Sequence, residues 1–236
     1  MPAPCAMSHD EISFTDLMAS SIHDMKNSVN VQVNALEQIA HEAKARGDLE
    51  AFNSLVLVIA QSHRVNANLI QLLSLYKFGK STYPLDIREL SVAELIEEAV
   101  LQIRSVLDFK GIRLTVLCPP RLDWYFDRDL MTGVLLNALN NACNYTRDCI
   151  CVSASVTDGQ LILRLEDNGP GYPAQMLSHD AVAANKGVNF FNGSTGLGFY
   201  FSAQVAHLHQ NQGRHGALSI ENGGTYGGGC FIVTLP

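Results

Sequence analysis

Apolar residues in the first part of the chain fall at Phe14, Met18, Ile22, Met25, Val29, Val33, Leu36 and Ala40. The steps alternate between four and three, the rhythm of a helix with one buried seam, and predict a helix from Asp10 to about Ala45. Arg46-Gly47-Asp48 interrupts the rhythm. A second stripe then runs through Phe52, Leu55, Ile59, Val65, Leu69, Leu72 and Tyr76 and stops near Phe78-Gly79. Two long helices joined by so short a turn are expected to be antiparallel neighbours. A lone hairpin cannot cover its own apolar stripe, so residues 9–79 read as half of a dimeric four-helix bundle.

Beyond a linker or first strand over residues 80–90, helices and strands mix. Ser91-Val92-Ala93-Glu94 has capping-box spacing and opens a helix to about Phe109, closed by Gly111. Arg113 to Cys118 is strand-like, and Asp127 to Tyr145 reads as a helix. Cys149–Val156 alternates, turns at Asp158-Gly159 and returns through Leu161–Glu166, a strong hairpin signal. A Gly- and Asn-rich stretch without period precedes a helix from Gly196 to about Gln210. Two strands, Ala217–Glu221 and Gly229–Leu235, follow. The expected class is α+β: the helical hairpin, then an α/β sandwich with helices on one face of its sheet, over residues 85–236.

Composition narrows the function classes. The 236 residues are 47% hydrophobic and 17% charged, which excludes a disordered or fibrous chain. The net charge is −7, and the sixteen Lys and Arg residues form no basic block, so no nucleic-acid partner is expected. No apolar run approaches the ~20 residues of a membrane span, and the start lacks a secretion-signal layout, so the expectation is no membrane insertion and a cytoplasmic location. Six irregularly spaced cysteines suggest thiols rather than a disulfide framework.

Four short runs could carry chemistry. In Ser21-Ile22-His23-Asp24-Met25-Lys26-Asn27, His23 lies at the edge of the seam, Asp24 is adjacent, and Asn27 is one turn on along the same face. An imidazole whose Nδ1 proton is held by a carboxylate offers a more basic Nε2 to an electrophile. Alone, the run reads more readily as a surface histidine with a chance acidic neighbour, because short motifs match often. Asn137 and Asn141 are four apart on one helix face, and amide oxygens suit magnesium when phosphate oxygens complete its shell. Asp167-Asn168-Gly169-Pro170-Gly171 puts a carboxylate after a strand, able to accept a base's exocyclic amine, or makes a plain turn. Gly193-Ser194-Thr195-Gly196-Leu197-Gly198 opens a helix whose free N–H groups suit a phosphate. Cys149 and Cys151 share a strand face but lack a second pair for zinc. His207 and His209 diverge on their helix, against joint metal ligation.

Taken in order, these runs resemble the two-component sensor histidine kinases. The run from His23 to Asn27 is similar to the H-box, Asn137 to Tyr145 to the N box, Asp167 to Gly171 to the first glycine box, and Thr195 to Gly198 to the second. The end, from Gly227 to Pro236, is similar to the closing strand. The chain departs from the pattern at Ser28, where a Pro often stands, at Gly229, where a Thr is usual, and at Asn144, where a Lys is often found.

The resemblance implies a dimerisation and phosphotransfer domain over 9–79 and a GHKL-type ATP-binding domain over 85–236. It implies a histidine kinase that uses ATP and magnesium to phosphorylate His23 and passes the phosphoryl group to an aspartate of a response-regulator receiver domain. Asp24 would orient His23 or act as its base. Asn27 would place the phosphoryl group, or a water when the reaction runs as a phosphatase. Asn141 with Asn137 would hold magnesium, Asp167 would read adenine, and Gly169 and Gly171 would let backbone approach the ring. Tyr145 would pack near the nucleotide, and Thr195, Gly196, Leu197 and Gly198 would face the phosphates. The stretch from Tyr172 to Ser194 would be a short ATP lid with Phe190-Phe191 as its latch. About nine residues precede the first helix, so input is expected through a separate sensor protein, the helices themselves or a further domain. Two rivals are a phosphotransferase or adaptor that no longer uses ATP, and a GHKL kinase acting on serine.

Overall fold

The computed structural model describes residues 14–79, 83–177 and 196–236. Its first element, α1 (Phe14–Ala45), and the next, α2 (Leu49–Gly79), form the antiparallel hairpin. The turn works because Gly47 takes a left-handed conformation, φ 75°, so that Asp48 N–H reaches back to the Ala43 carbonyl at 3.0 Å. Asp48 then caps α2, its Oδ1 accepting from Ala51 N–H at 3.0 Å.

Ile22, Val33, Ala40 and Ala43 of α1 are buried, as are Val56 and Ile59 of α2. Asn66 Nδ2 crosses between the helices to Asn30 Oδ1 at 2.6 Å. Val29, Leu36, Phe52, Leu55, Leu69 and Tyr76 are half-buried, whereas Met25, Val65 (48% exposed) and Leu72 (41%) remain open. One hairpin has a single inner face, and the stripes are wider than that face.

The second unit contains β1 (Ile87–Ser91), α3 (Val92–Lys110), β2 (Arg113–Leu117), β3 (Asp123–Asp127), α4 (Arg128–Tyr145), β4 (Cys149–Thr157) and β5 (Gln160–Asp167). After these come α5 (Leu197–Leu208), the short β6 (Gln210–Asn211) and β7 (Arg214–His215), then β8 (Ala217–Gly223) and β9 (Gly228–Leu235). Five strands make one sheet in the order β2-β4-β5-β9-β8, antiparallel except for β2 beside β4. Leu161, Leu163 and Leu165 of β5 alternate inward, and Leu163 pairs with Ala154 and Val233. Against this face lie α3, α4 and α5, which bury Leu95, Ile96, Met131, Leu139 and Phe201.

β1 settles the ambiguous residues 80–90 as carrying a strand, and its partner β3 was not expected from the pattern. β3 reads Asp-Trp-Tyr-Phe-Asp, too short to show an alternation, yet Phe126 is fully buried. α3 has its anticipated cap, Ser91 Oγ accepting from Glu94 N–H at 3.4 Å. α5 ends at Leu208, two residues short of the expected Gln210, where the β6–β7 turn begins.

The hairpin's exit is seated on the second unit. Phe78 at the end of α2 stacks on Phe201 of α5, with centroids 6.4 Å apart, and meets the Tyr83 ring edge-on at 5.2 Å. Burial and the carboxylates of Asp127, Asp129 and Asp86 push the Tyr83 hydroxyl up to about 12.

Candidate functional site

The conspicuous side chain of α1 is His23. Its Nδ1 lies 3.7 Å from Asp24 Oδ1 and 3.3 Å from the Asn27 amide, and all three residues are exposed. The first distance is too long for a hydrogen bond, whereas the second is within reach of one. The other ring nitrogen, Nε2, is the one clear of both neighbours' contacts.

The second cluster is assembled where α4, β5, α5 and β9 end or begin. Asp167, the last residue of β5, is 8% exposed. Its Oδ1 accepts from the backbone N–H groups of Gly169 (2.7 Å) and Gly229 (3.3 Å). These donors fix the carboxylate and leave Oδ2 to accept from something else. A Cβ on Gly229 would stand 3.0 Å from Oδ2, so the missing side chain keeps that oxygen open. Gly169 is under tighter constraint: a Cβ there would meet the Tyr145 carbonyl oxygen at 2.3 Å, so only glycine lets β5 run this close to the end of α4. Gly171, with φ 78°, sits against Asn222, whose amide accepts from Tyr172 N–H at 2.6 Å and donates to Tyr172 O at 2.8 Å. Burial and then Asp167 raise the Tyr172 hydroxyl above the usual tyrosine range, keeping it neutral.

Asn137 and Asn141 both lie on α4 and are half-buried. Asn137 Nδ2 donates to Ser202 Oγ of α5 at 3.1 Å, and its Oδ1 lies where a Cβ on Gly198 would be, 2.0 Å away. The first asparagine thus meets the second glycine run directly, which sequence spacing could not show. Gly196 begins α5 in a left-handed conformation, φ 61°, and Leu197 and Gly198 form the helix's first turn. Tyr145, 60% exposed, ends α4, and its backbone carbonyl lies against Gly169. Thr195, Phe190 and Phe191 lie outside the described residues. The structure therefore brings Asn137, Asn141, Tyr145, Asp167, Gly169, Gly171 and Gly196–Gly198 around one end of the second unit. His23 is on a separate element, and α1 packs chiefly along α2.

Sequence reasoning missed three residues of this region. Asn168 hydrogen-bonds the loop after α4, Asn222 braces the backbone at Tyr172, and Ser202 holds Asn137. Each acts through a partner remote in sequence, so no local pattern announces it. The remaining candidates from the sequence have ordinary structural roles. His209 is buried, and His207 instead stacks on His215 with centroids 4.2 Å apart, so the two histidines diverge as expected. Among the described residues no group of three or more His, Cys, Asp or Glu could hold a metal ion, and the described cysteines are free. Burial pushes the Cys143 and Cys230 thiols up to about 11, which makes them poor nucleophiles. Among the described residues no helix is long and apolar enough to cross a membrane.

Residues 126–236 match the family model for the histidine kinase-, DNA gyrase B-, and HSP90-like ATPases. Over nearly the whole chain, the signal transduction histidine-protein kinase AfsQ2 of Streptomyces coelicolor is 25% identical, covering 91% of this chain and 41% of that protein. The sensor protein SrrB of Staphylococcus aureus is 26% identical and covers 94% and 38%. This chain thus spans about two fifths of the length of these relatives. Among solved structures, the Acinetobacter baumannii histidine kinase AdeS superposes with a TM-score of 0.59 over 86% of this chain and 96% of that one, at 18% identity. Full-length ShkA superposes with a TM-score of 0.61 over 92% of this chain and 46% of that one, at 16% identity. The order of elements, a long helical hairpin followed by a five-stranded mixed sheet under three helices, is shared with these kinases over most of this chain. Residues 126–236 thus match the histidine kinase-, DNA gyrase B-, and HSP90-like ATPases, and over most of its length the chain is similar to signal-transduction histidine kinases.

Proposed function

We propose that the chain binds ATP with magnesium in the second unit and transfers the γ-phosphoryl group to His23, from which an aspartate of a response-regulator receiver domain takes it. The observation that carries this reading is the buried Asp167 carboxylate, held at Oδ1 by two backbone N–H groups and framed by glycines. An oxygen so placed accepts from the amine of adenine, whereas guanine presents a carbonyl at that position and is repelled. The base end then lies by Asp167, Gly169 and Gly171, with Tyr145 at the rim. The phosphates lie towards the N-terminal turn of α5, whose free N–H groups and dipole favour negative charge.

The amide oxygens of Asn141 and Asn137 are the groups that would hold magnesium, which would neutralise phosphate charge during transfer. With Nδ1 carrying the ring proton, its positive charge developing beside Asp24, His23 Nε2 supplies its lone pair to the γ-phosphorus. The N–P bond forms as the P–O bond to ADP breaks. Asn27, whose amide nitrogen lies 3.3 Å from Nδ1, turns its amide over to offer the oxygen once Nδ1 carries the proton, and so fixes the ring's orientation. The protein's help is positioning and charge neutralisation.

A second copy supports this chemistry structurally. Val58, Val65 and Leu72 recur every seven residues along α2 and are all exposed, as are Met25 and Ile39 on α1. An uncovered stripe of this kind is the surface of a homodimer completing a four-helix bundle. Input from a separate sensor protein and a location in the cytoplasm belong to the same proposal.

Calorimetry with ATP and GTP tests the pocket. Asp167→Asn keeps the shape and removes the charge, and is expected to weaken ATP by roughly ten- to a hundredfold. Equal affinity for the two nucleotides, or no effect of the substitution, would move the reading to an adaptor that does not use ATP.

A further inference from the structure

We infer that Asn168 is a positioning residue of the nucleotide pocket, latching the loop that follows α4 to the strand end that carries Asp167. The inference rests on reading this pocket as an adenine nucleotide site. Asn168 Oδ1 accepts from the backbone N–H groups of Arg147 (3.1 Å), Asp148 (3.2 Å) and Cys149 (3.2 Å), and Thr146 Oγ1 lies 2.8 Å from it. Its Nδ2 donates to Asp148 Oδ1 at 2.8 Å. The carbonyl oxygen therefore sits in a concavity of converging amides, the arrangement that successive N–H groups form around an anion, here filled by the protein itself.

The residues that Asn168 joins are those of the pocket. On one side of it Asp167 holds its carboxylate by Gly169 N–H, and on the other Gly169 passes so close to the Tyr145 carbonyl that no side chain fits. The loop gripped by the amide begins directly after Tyr145. Residues 145–149 and 167–169 thus form one unit, and the Asn168 side chain is its tie. The job needs an acceptor for a cluster of N–H groups and a donor for a carboxylate, both on one short planar group. Among side chains of this length only asparagine has both. Asn168 itself touches no reacting atom; it acts through Asp167 and Gly169, so its removal loosens the base end of the pocket, which ADP and ATP share.

A charge swap tests this with the whole chain. Asn168→Asp keeps an oxygen for the three amides but sets a second carboxylate oxygen against Asp148, and two carboxylates that close share a proton rather than both ionise. Calorimetry at pH 8 is expected to show ADP and ATP weakened alike, by about tenfold relative to the unsubstituted chain. At pH 6 the ratio shrinks, because protonation relieves the repulsion. Adding Asp148→Asn restores a donor–acceptor pair with its direction reversed, and is expected to bring both affinities back to within about twofold at both pH values. Thermal melts confirm that each variant is folded at the titration temperature, and the swapped pair serves as the folded reference should the single variant melt early. If the unsubstituted chain binds and Asn168→Asp binds equally well, or the double variant shows no recovery, the inference is overturned while the pocket stands. If the unsubstituted chain binds neither nucleotide, the reading of the pocket falls and takes the inference with it.

Discussion

His209 shows how much one side chain can decide. It is buried, its Nδ1–H donating to the Val205 carbonyl at 2.8 Å while Nε2 accepts from Asp127 N–H at 3.0 Å. The same Asp127 caps α4 through Leu130 N–H at 3.1 Å and holds Asp86 N–H at 3.1 Å, so the imidazole links the end of α5 to the start of α4. Only the neutral Nδ1–H tautomer satisfies both bonds, since a proton on Nε2 would face another N–H. Burial lowers the pKa of His209, partly offset by the Val205 carbonyl and by Asp127. The unfolded chain therefore binds this proton more readily than the folded one. The stability tied to His209 is complete above the unfolded value of about 6.5 and is lost as pH falls from there through the depressed folded value. Thermal melts from pH 8 to pH 5 should show a falling midpoint. His209→Gln should start lower at pH 8, losing about 1–3 kcal/mol of buried bonding, but fall less steeply. Parallel curves for the two proteins would refute this role.

At the level of elements, the meeting of α4 with α5 matters most to the pocket. Gly198 lies directly against the Asn137 amide, and Ser202, one turn on, binds the other side of it. Gly198→Ala would force a methyl group into the Asn137 oxygen and part the two helices at their pocket end. Nucleotide affinity is expected to fall about tenfold, measurable by calorimetry, and unchanged affinity would show that this contact does not shape the site. The sequence made the outer frame of this arrangement legible, because seam periodicity, caps and the Asp158-Gly159 turn are local signals. The hairpin, three helices and all five strands of the main sheet follow from such signals. β3 was hidden because five residues beside two prolines show too little alternation, and because its partner β1 lies across α3. Asp167 and the glycines could be named from their spacing. The bracing by Asn168, Asn222 and Ser202 could not, because its meaning depends on partners 19 to 65 residues away.

Across the whole molecule, two units of different character share the hairpin's exit. Phe78 stacks on Phe201, and Gly133 of α4 lies close enough to that ring for a Cβ to meet it at 3.3 Å. The end of α2 is thus packed on the same helix, α5, that begins at the phosphate side of the proposed pocket. The exposed stripe of Val58, Val65 and Leu72 along α2 is the basis of the proposed dimer. Val65→Asp places an unpaired charge in the middle of that stripe, and is expected to raise the dimer dissociation constant at least about a hundredfold with helical content unchanged. Light scattering across a dilution series checks it. A monomer before substitution, or a dimer indifferent to it, would put the interface elsewhere.

Incubation with γ-labelled ATP and magnesium, followed by acid and base treatment of the labelled chain, tests the central claim most directly. The account predicts a label that acid removes and base does not, the behaviour of a phosphoramidate. It predicts that His23→Gln abolishes the label while leaving nucleotide affinity unchanged, since His23 lies on α1 and the pocket residues lie on other elements. A label that survives acid, or one that persists in His23→Gln, would contradict it.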